Sequence, residues 1–141
     1  MKGNPATPIR EYALEQTSDL LRRMAFQATR TSKHASPDAI HDLRVSIRRL
    51  TQCLALFDQF FSGGEAKKVR RKARVLMDLA SQVRNCDIAL DLLKRAAVPA
   101  ASPMARAILR ERRQSERALE EALKRWSRRD AHRKWRLRLD L

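Results

Sequence analysis

The chain is expected to be all-α and to fold as an antiparallel four-helix bundle. Three observations carry that expectation. Only three glycines and five prolines occur among 141 residues, while Ala, Leu, Arg, Glu, Lys, Gln and Met dominate, so local propensity favours helix almost throughout. Apolar residues recur at alternating spacings of three and four, which keeps one helical face against its neighbours. Serine-proline pairs at Ser36-Pro37 and Ser102-Pro103 supply an N-cap hydroxyl followed by a proline whose missing N–H costs nothing at the first helical position.

The first helix is expected from about Ile9 to Thr31, after Pro5 and Pro8, with Leu14, Leu21, Met24, Ala25 and Ala28 on its buried side. The second starts at Ser36 and is stopped by Gly63 and Gly64, with Ile40, Leu43, Ile47, Leu50, Leu54, Phe57 and Phe61 forming its apolar stripe. The third begins near Glu65 and turns Ala66, Val69, Ala73, Leu76, Ala80 and Val83 inward. Around Arg84, Asn85 and Asp87 its pattern falters before Ile88, Leu90, Leu92 and Leu93 resume it, which predicts a kink or a re-capped helix; the segment ends before Pro99. The fourth runs from Ser102 to about Asp130 and packs through Met104, Ile108, Leu119, Ala122 and Trp126. The chain thus reads as a single domain, 1–141, with a core at 9–130. Residues 131–141 read as a basic tail, either an amphipathic docking segment or a disordered end. Short connections make an up-down antiparallel arrangement the simplest packing.

Charge narrows the function. Lys and Arg number 31 against 16 Asp and Glu, a formal net charge of +15, far beyond the few charges that solubility needs. A polyanionic partner is the leading expectation, since nucleic acid, an anionic membrane surface and inorganic polyphosphate all gain by releasing counterions to Lys and Arg. No run of 18 apolar residues exists, and the stretch MKGNPATPIREYALEQ lacks a hydrophobic segment, so neither membrane insertion nor a signal peptide is expected. Cys53 and Cys86 stand alone, which suits core thiols in a reducing cytoplasm.

His41, Arg44 and Arg48 are spaced by three and four beside the apolar stripe of the second helix, with Arg49 adjoining. Like charges on successive turns repel by a few tenths of a kcal/mol per pair, so the arrangement is mildly unfavourable until something negative sits there. The third helix opens with Lys67, Lys68, Arg70, Arg71, Lys72 and Arg74, where the helix dipole is already positive, and an anion would relieve both terms. Arg70 and Arg74 are expected to face the strip of the second helix. Arginine suits phosphate through its fixed, bidentate donors, and lysine serves as a mobile point charge. Arg84 either joins this strip or pairs with Asp87 across the kink. Asp87 and Asp91 read as salt-bridging groups beside Arg84, Lys94 and Arg95 rather than as metal or acid–base carboxylates.

His34, His41 and His132 do not fall at metal-ligand spacing with either cysteine, so neither a metal nor a cofactor is expected. No Gly-rich phosphate loop, GxSxG elbow or HExxH occurs, so no catalytic residues are assigned and binding without turnover is the simpler expectation.

The run HDLRVSIRRLTQCLALF, followed some twenty residues later by LASQVRNCDIALDLL, resembles the opening half of the CHAD domain, the conserved-histidine α-helical domain. That family shows HxxRVxxRRLRxxLxLF and then LGxxRDxDVxLxxL. His41, Arg44, Val45, Arg48, Arg49, Leu50, Leu54, Leu56 and Phe57 match the first pattern, and Leu79, Arg84, Asp87 and Ile88 the second. Thr51 and Ala55 stand where basic residues are frequent, and Asn85 replaces an acid. The resemblance is strong from about Ile40 to Leu93 and merely helical elsewhere. It implies a non-catalytic bundle that binds inorganic polyphosphate through a basic surface or pore, in the cytoplasm and associated with polyphosphate granules. The expected contacts are His41, Arg44, Arg48, Arg49, Lys67, Arg70, Arg71, Arg74 and Arg84. A complete CHAD domain has two similar four-helix halves, so a homodimer is the expected replacement for the second. The alternatives are a nucleic-acid binder using the same surface, or a scaffold whose tail docks a polyphosphate-related protein.

Overall fold

The computed structural model describes residues 7–141; Pro5 and the start of the opening stretch lie outside them. Five α-helices follow in order: α1 (Thr7–Lys33), α2 (Pro37–Leu56), α3 (Glu65–Arg95), α4 (Pro103–Arg128) and α5 (Ala131–Arg138). α1 packs on α2 and α4, and α3 packs on α2 and α4, so the first four close into a ring. The all-α bundle expected from the sequence is therefore present, with one helix more.

Both serine caps form. Ser36 Oγ accepts from the Ala39 N–H at 3.1 Å and Ser102 Oγ from the Ala105 N–H at 3.2 Å, each satisfying a donor that the first helical turn leaves unpaired. The α2 stripe is buried throughout, from Ile40 to Leu54, and meets Leu21 and Met24 of α1, Val69 and Val83 of α3, and Leu119 and Leu123 of α4. Leu14, Ala25 and Ile108 are only partly buried.

Four expectations are corrected. α2 ends at Leu56 rather than at the glycines, because two tight 3-10 turns, Asp58–Phe60 and Ser62–Gly64, reverse the chain first; Gly63 and Gly64 occupy the left-handed region at φ 63° and 68°. That region costs other residues about 1 kcal/mol or more and glycine little. α3 is unbroken where a kink was expected. Cys86 is buried and carries the inward stripe from Val83 on toward Leu90 and Leu93, so a thiol acting as a small hydrophobe bridges the apparent gap. Met104 is exposed. Finally, the core does not stop at 130: residues 131–141 follow the docking alternative and not the disordered one, with α5 packed on α4 and α1 and Trp135 and Leu139 buried in the common core.

The exposure of Met104 follows from a difference in helix length. The α1–α2 turn reaches the level of Arg112, whose guanidinium donates to the Ala35 carbonyl at 2.8 Å, and of Asp87, which pairs with Arg112. Beyond those two residues the α3–α4 hairpin projects past the turn, and its apolar side chains Ile88, Leu92, Met104 and Leu109 are exposed.

Candidate polyanion-binding trough

α2 and α3 run side by side as antiparallel neighbours, and their packed stripes leave a flank of each facing the same shallow groove. Residues Arg48, Thr51, Gln52 and Ala55 of α2 and Arg70, Arg74 and Met77 of α3 line it. One turn further along α2, Arg44 continues the trough, and its Nε donates to Ser81 Oγ of α3 at 3.3 Å. Burial depresses the Arg44 pKa, and the charges of Arg48 and of α3's Arg84 depress it further, so Arg84 is close enough for its charge to be felt at Arg44. Three guanidinium groups from two helices, Arg48, Arg70 and Arg74, thus line one groove, with Arg44 continuing it and Arg84 near Arg44.

Internal neutralisation of this cluster is slight. Among the described residues only Arg70 has a carboxylate within ion-pair range, Asp58 at 3.8 Å, while Arg44, Arg48, Arg74 and Arg84 have none. The Arg70 Nε is buried and donates to nothing, an orphan donor of the kind that costs about 1–3 kcal/mol in a folded protein. Several carboxylates elsewhere are occupied: Asp19 serves Arg22 and Arg23, Asp42 serves Arg30 at 2.7 Å, and Asp91 serves Arg95 at 3.0 Å.

Not every expected contact joins the trough. His41 is exposed on α2, and at about 100° per residue it shares the angular sector of Arg44 and Arg48. Lys67 occupies the outer edge of the α3 strip by the same count. Arg49 lies on the opposite flank, where it lines a groove between α1 and α2 with Arg22, Arg23 and Asp42. Arg71 points away from α2 and lines a different hollow with Lys68, Lys72 and Arg138. Adjacent positions on a helix diverge by about a quarter turn, which is why neighbours in the RR pairs separate. Arg84 does not pair with Asp87; that carboxylate is taken by Arg112 at 2.6 Å. Asp58 and Ser81, which touch the cluster, went unnoticed in the sequence, since a reversal and a cross-helix contact leave no spacing signature.

Chemically, the trough can hold a chain of anionic tetrahedral groups through guanidinium forks. Among the described residues no group of three or more His, Cys, Asp or Glu side chains is placed to hold a metal ion, and no helix is long and apolar enough to cross a membrane.

The model of the CHAD domain family matches residues 15–141. No curated protein and no solved structure matches the chain.

Proposed function

The chain belongs to the CHAD domain family, a family of helical modules associated with polyphosphate binding, and from that premise we propose that it binds inorganic polyphosphate in the α2–α3 trough, without turning it over. The observation that carries this reading is the groove lined by Arg48, Arg70 and Arg74 and continued by Arg44, where, among the described residues, Asp58 beside Arg70 is the one carboxylate in ion-pair range. Such a cluster repels itself until an anion enters, so binding is driven both by Coulomb attraction and by counterion release from the polymer. His41 at the trough's edge adds a hydrogen bond, and Lys67 a mobile charge. Toward the trough itself, Arg49 and Arg71 act at most as long-range charges.

Polyphosphate is favoured over nucleic acid because the groove lining holds no aromatic ring on which a base could stack. Calorimetric titration of long-chain polyphosphate and length-matched DNA at two salt concentrations tests the choice. The polyphosphate affinity should exceed that for DNA and fall in Arg44→Ala/Arg48→Ala; equal affinities, or no loss in the double variant, refute the assignment. Association with polyphosphate granules in the cytoplasm is the cellular counterpart, checked by imaging the tagged chain with and without polymer synthesis.

We also propose that two copies pair. The projecting α3–α4 hairpin offers Ile88, Leu92, Met104 and Leu109 as apolar contact, and a two-fold axis would bring two troughs together. Repulsion between subunits of +15 opposes this, so pairing should strengthen with bound polyanion. A mass of one chain by light scattering, with and without polyphosphate, refutes it.

A further inference from the structure

A second cationic surface lies on the other side of α3, and the trough does not use it. α3, α4 and α5 enclose a groove of about 490 Å³, against about 240 Å³ for the trough. Its rim carries Lys72 of α3, Arg125 of α4 and Arg129 at its C-cap, and Lys134 and Arg138 of α5; its floor is Leu76, Ala122, Trp126 and Trp135. No carboxylate lines it. Arg125 and Arg129 are one turn apart, as are Lys134 and Arg138, so each helix presents two cations on one side, the geometry that made the α2 strip unfavourable when empty.

The two surfaces are joined. Lys72 and Arg138 also line the adjoining hollow with Lys68 and Arg71. On α3 the six cations between Lys67 and Arg74 advance by about 100° per residue, and together they cover the solvent-facing half of the helix from the Arg70 side to the Lys72 side. These opening turns thereby form a collar between trough and groove. Of its carboxylate neighbours, Glu65 reaches Lys68 at 3.2 Å and Asp58 reaches Arg70 at 3.8 Å, too few to neutralise it.

We propose that the α3–α4–α5 groove is a second phosphate-binding site and that the Lys67–Arg74 collar lets one long polyphosphate chain occupy both sites at once. This rests on the reading of the trough as a polyphosphate site and goes beyond it, by adding a site and making affinity depend on chain length. The trough alone, from Arg84 to Arg70, covers fourteen residue steps of α3, roughly 21 Å at 1.5 Å rise per residue. Tripolyphosphate is too short to reach from there around the helix. Linking two sites through one ligand raises affinity by on the order of 10²-fold or more without new contacts.

Isothermal titration of tripolyphosphate and of long-chain polyphosphate into the wild type, into Lys134→Gln/Arg138→Gln and into Arg44→Ala/Arg48→Ala tests this. Lys134 and Arg138 are exposed, and melting curves establish that the variants fold. Wild type should take two tripolyphosphates and each double variant one, while long-chain affinity falls on the order of 10²-fold in Lys134→Gln/Arg138→Gln. The chain's two tryptophans both line the second groove, so tripolyphosphate should change their emission in the trough variant and not in the groove variant. One tripolyphosphate per wild-type chain, abolished by Arg44→Ala/Arg48→Ala and untouched by Lys134→Gln/Arg138→Gln, overturns the second site and leaves the trough standing. Failure of both polymers to bind the wild type overturns both.

Discussion

Arg112 Nε stands 2.6 Å from Asp87 Oδ1, joining the middle of α4 to α3. The same guanidinium donates to Glu116 Oε2 at 2.7 Å and to the Ala35 carbonyl in the α1–α2 turn at 2.8 Å. One side chain thus ties three parts of the ring together at the level where the hairpin begins to project. Hydrogen bonding to Asp87 and the charges of Asp87 and Glu116 outweigh burial and raise the Arg112 pKa. Arg112 and Asp87 side chains are only 15% and 10% exposed, so removal of one partner strands the other. Arg112→Met should cost about 2–4 kcal/mol, and Asp87→Leu/Arg112→Met should recover part of that loss, because replacing both partners leaves no buried charge behind. Urea unfolding of the two variants checks the order.

What could be read from the sequence, and what could not, divides along physical lines. The caps at Ser36 and Ser102 and the stripes of α2 and α3 are local, set by spacing within one helix, and the structure has them. The partner of Asp87 was missed because Arg112 is 25 positions away, while Arg84 was merely near in sequence. Arg49 and Arg71 adjoin trough residues in sequence yet line other grooves, because a helix turns adjacent side chains apart. Ala131, Trp135 and Leu139 recur every four residues and mark an apolar face in the tail, but whether α1 and α4 leave room for it is a tertiary matter that residues 131–141 do not encode.

That docking carries a stability consequence. Trp135 is 3% exposed and stacks edge-on against Trp126 with ring centroids 5.4 Å apart. Trp135→Ala should cost about 3 kcal/mol and lower Tm by about 10 °C. Leu137→Ala, two residues on and 67% exposed, should change stability by less than about 0.5 kcal/mol. Equal effects in differential scanning calorimetry would mean that α5 is not part of the core.

His132 sets a pH dependence. Its Nε2 is buried without a partner, and burial, then the charge of Arg136, depress its pKa from the ordinary 6.5, with Asp130 acting the other way. The unfolded chain therefore binds a proton that the folded chain resists, so stability falls as pH drops through about 6.5 and levels off below the folded-state pKa. Glu120, pushed up by burial and by Glu116, contributes the opposite sign as pH falls through its own raised value. His132→Asn should flatten the decline between about pH 7 and pH 5, measured by urea unfolding of wild type and variant side by side.

The trough's repulsion should be visible without any ligand. Arg48 and Arg74 are exposed and line the trough, and neither has a carboxylate in range among the described residues. Arg48→Gln/Arg74→Gln should therefore raise apoprotein stability at low salt by a few tenths of a kcal/mol, about the size of like-charge repulsion on neighbouring turns. Salt screens such repulsion over a Debye length of about 8 Å at physiological strength, so the variant's advantage should shrink as salt is added. Polyphosphate should reverse the order. Ligand at about 100 times its Kd stabilises the folded state by about 2.7 kcal/mol, and the wild type should gain more of this than the variant at equal polymer concentration. A variant less stable than wild type in low salt, with an unchanged response to polyphosphate, would place those two arginines among the supports of the fold and not among its anion contacts.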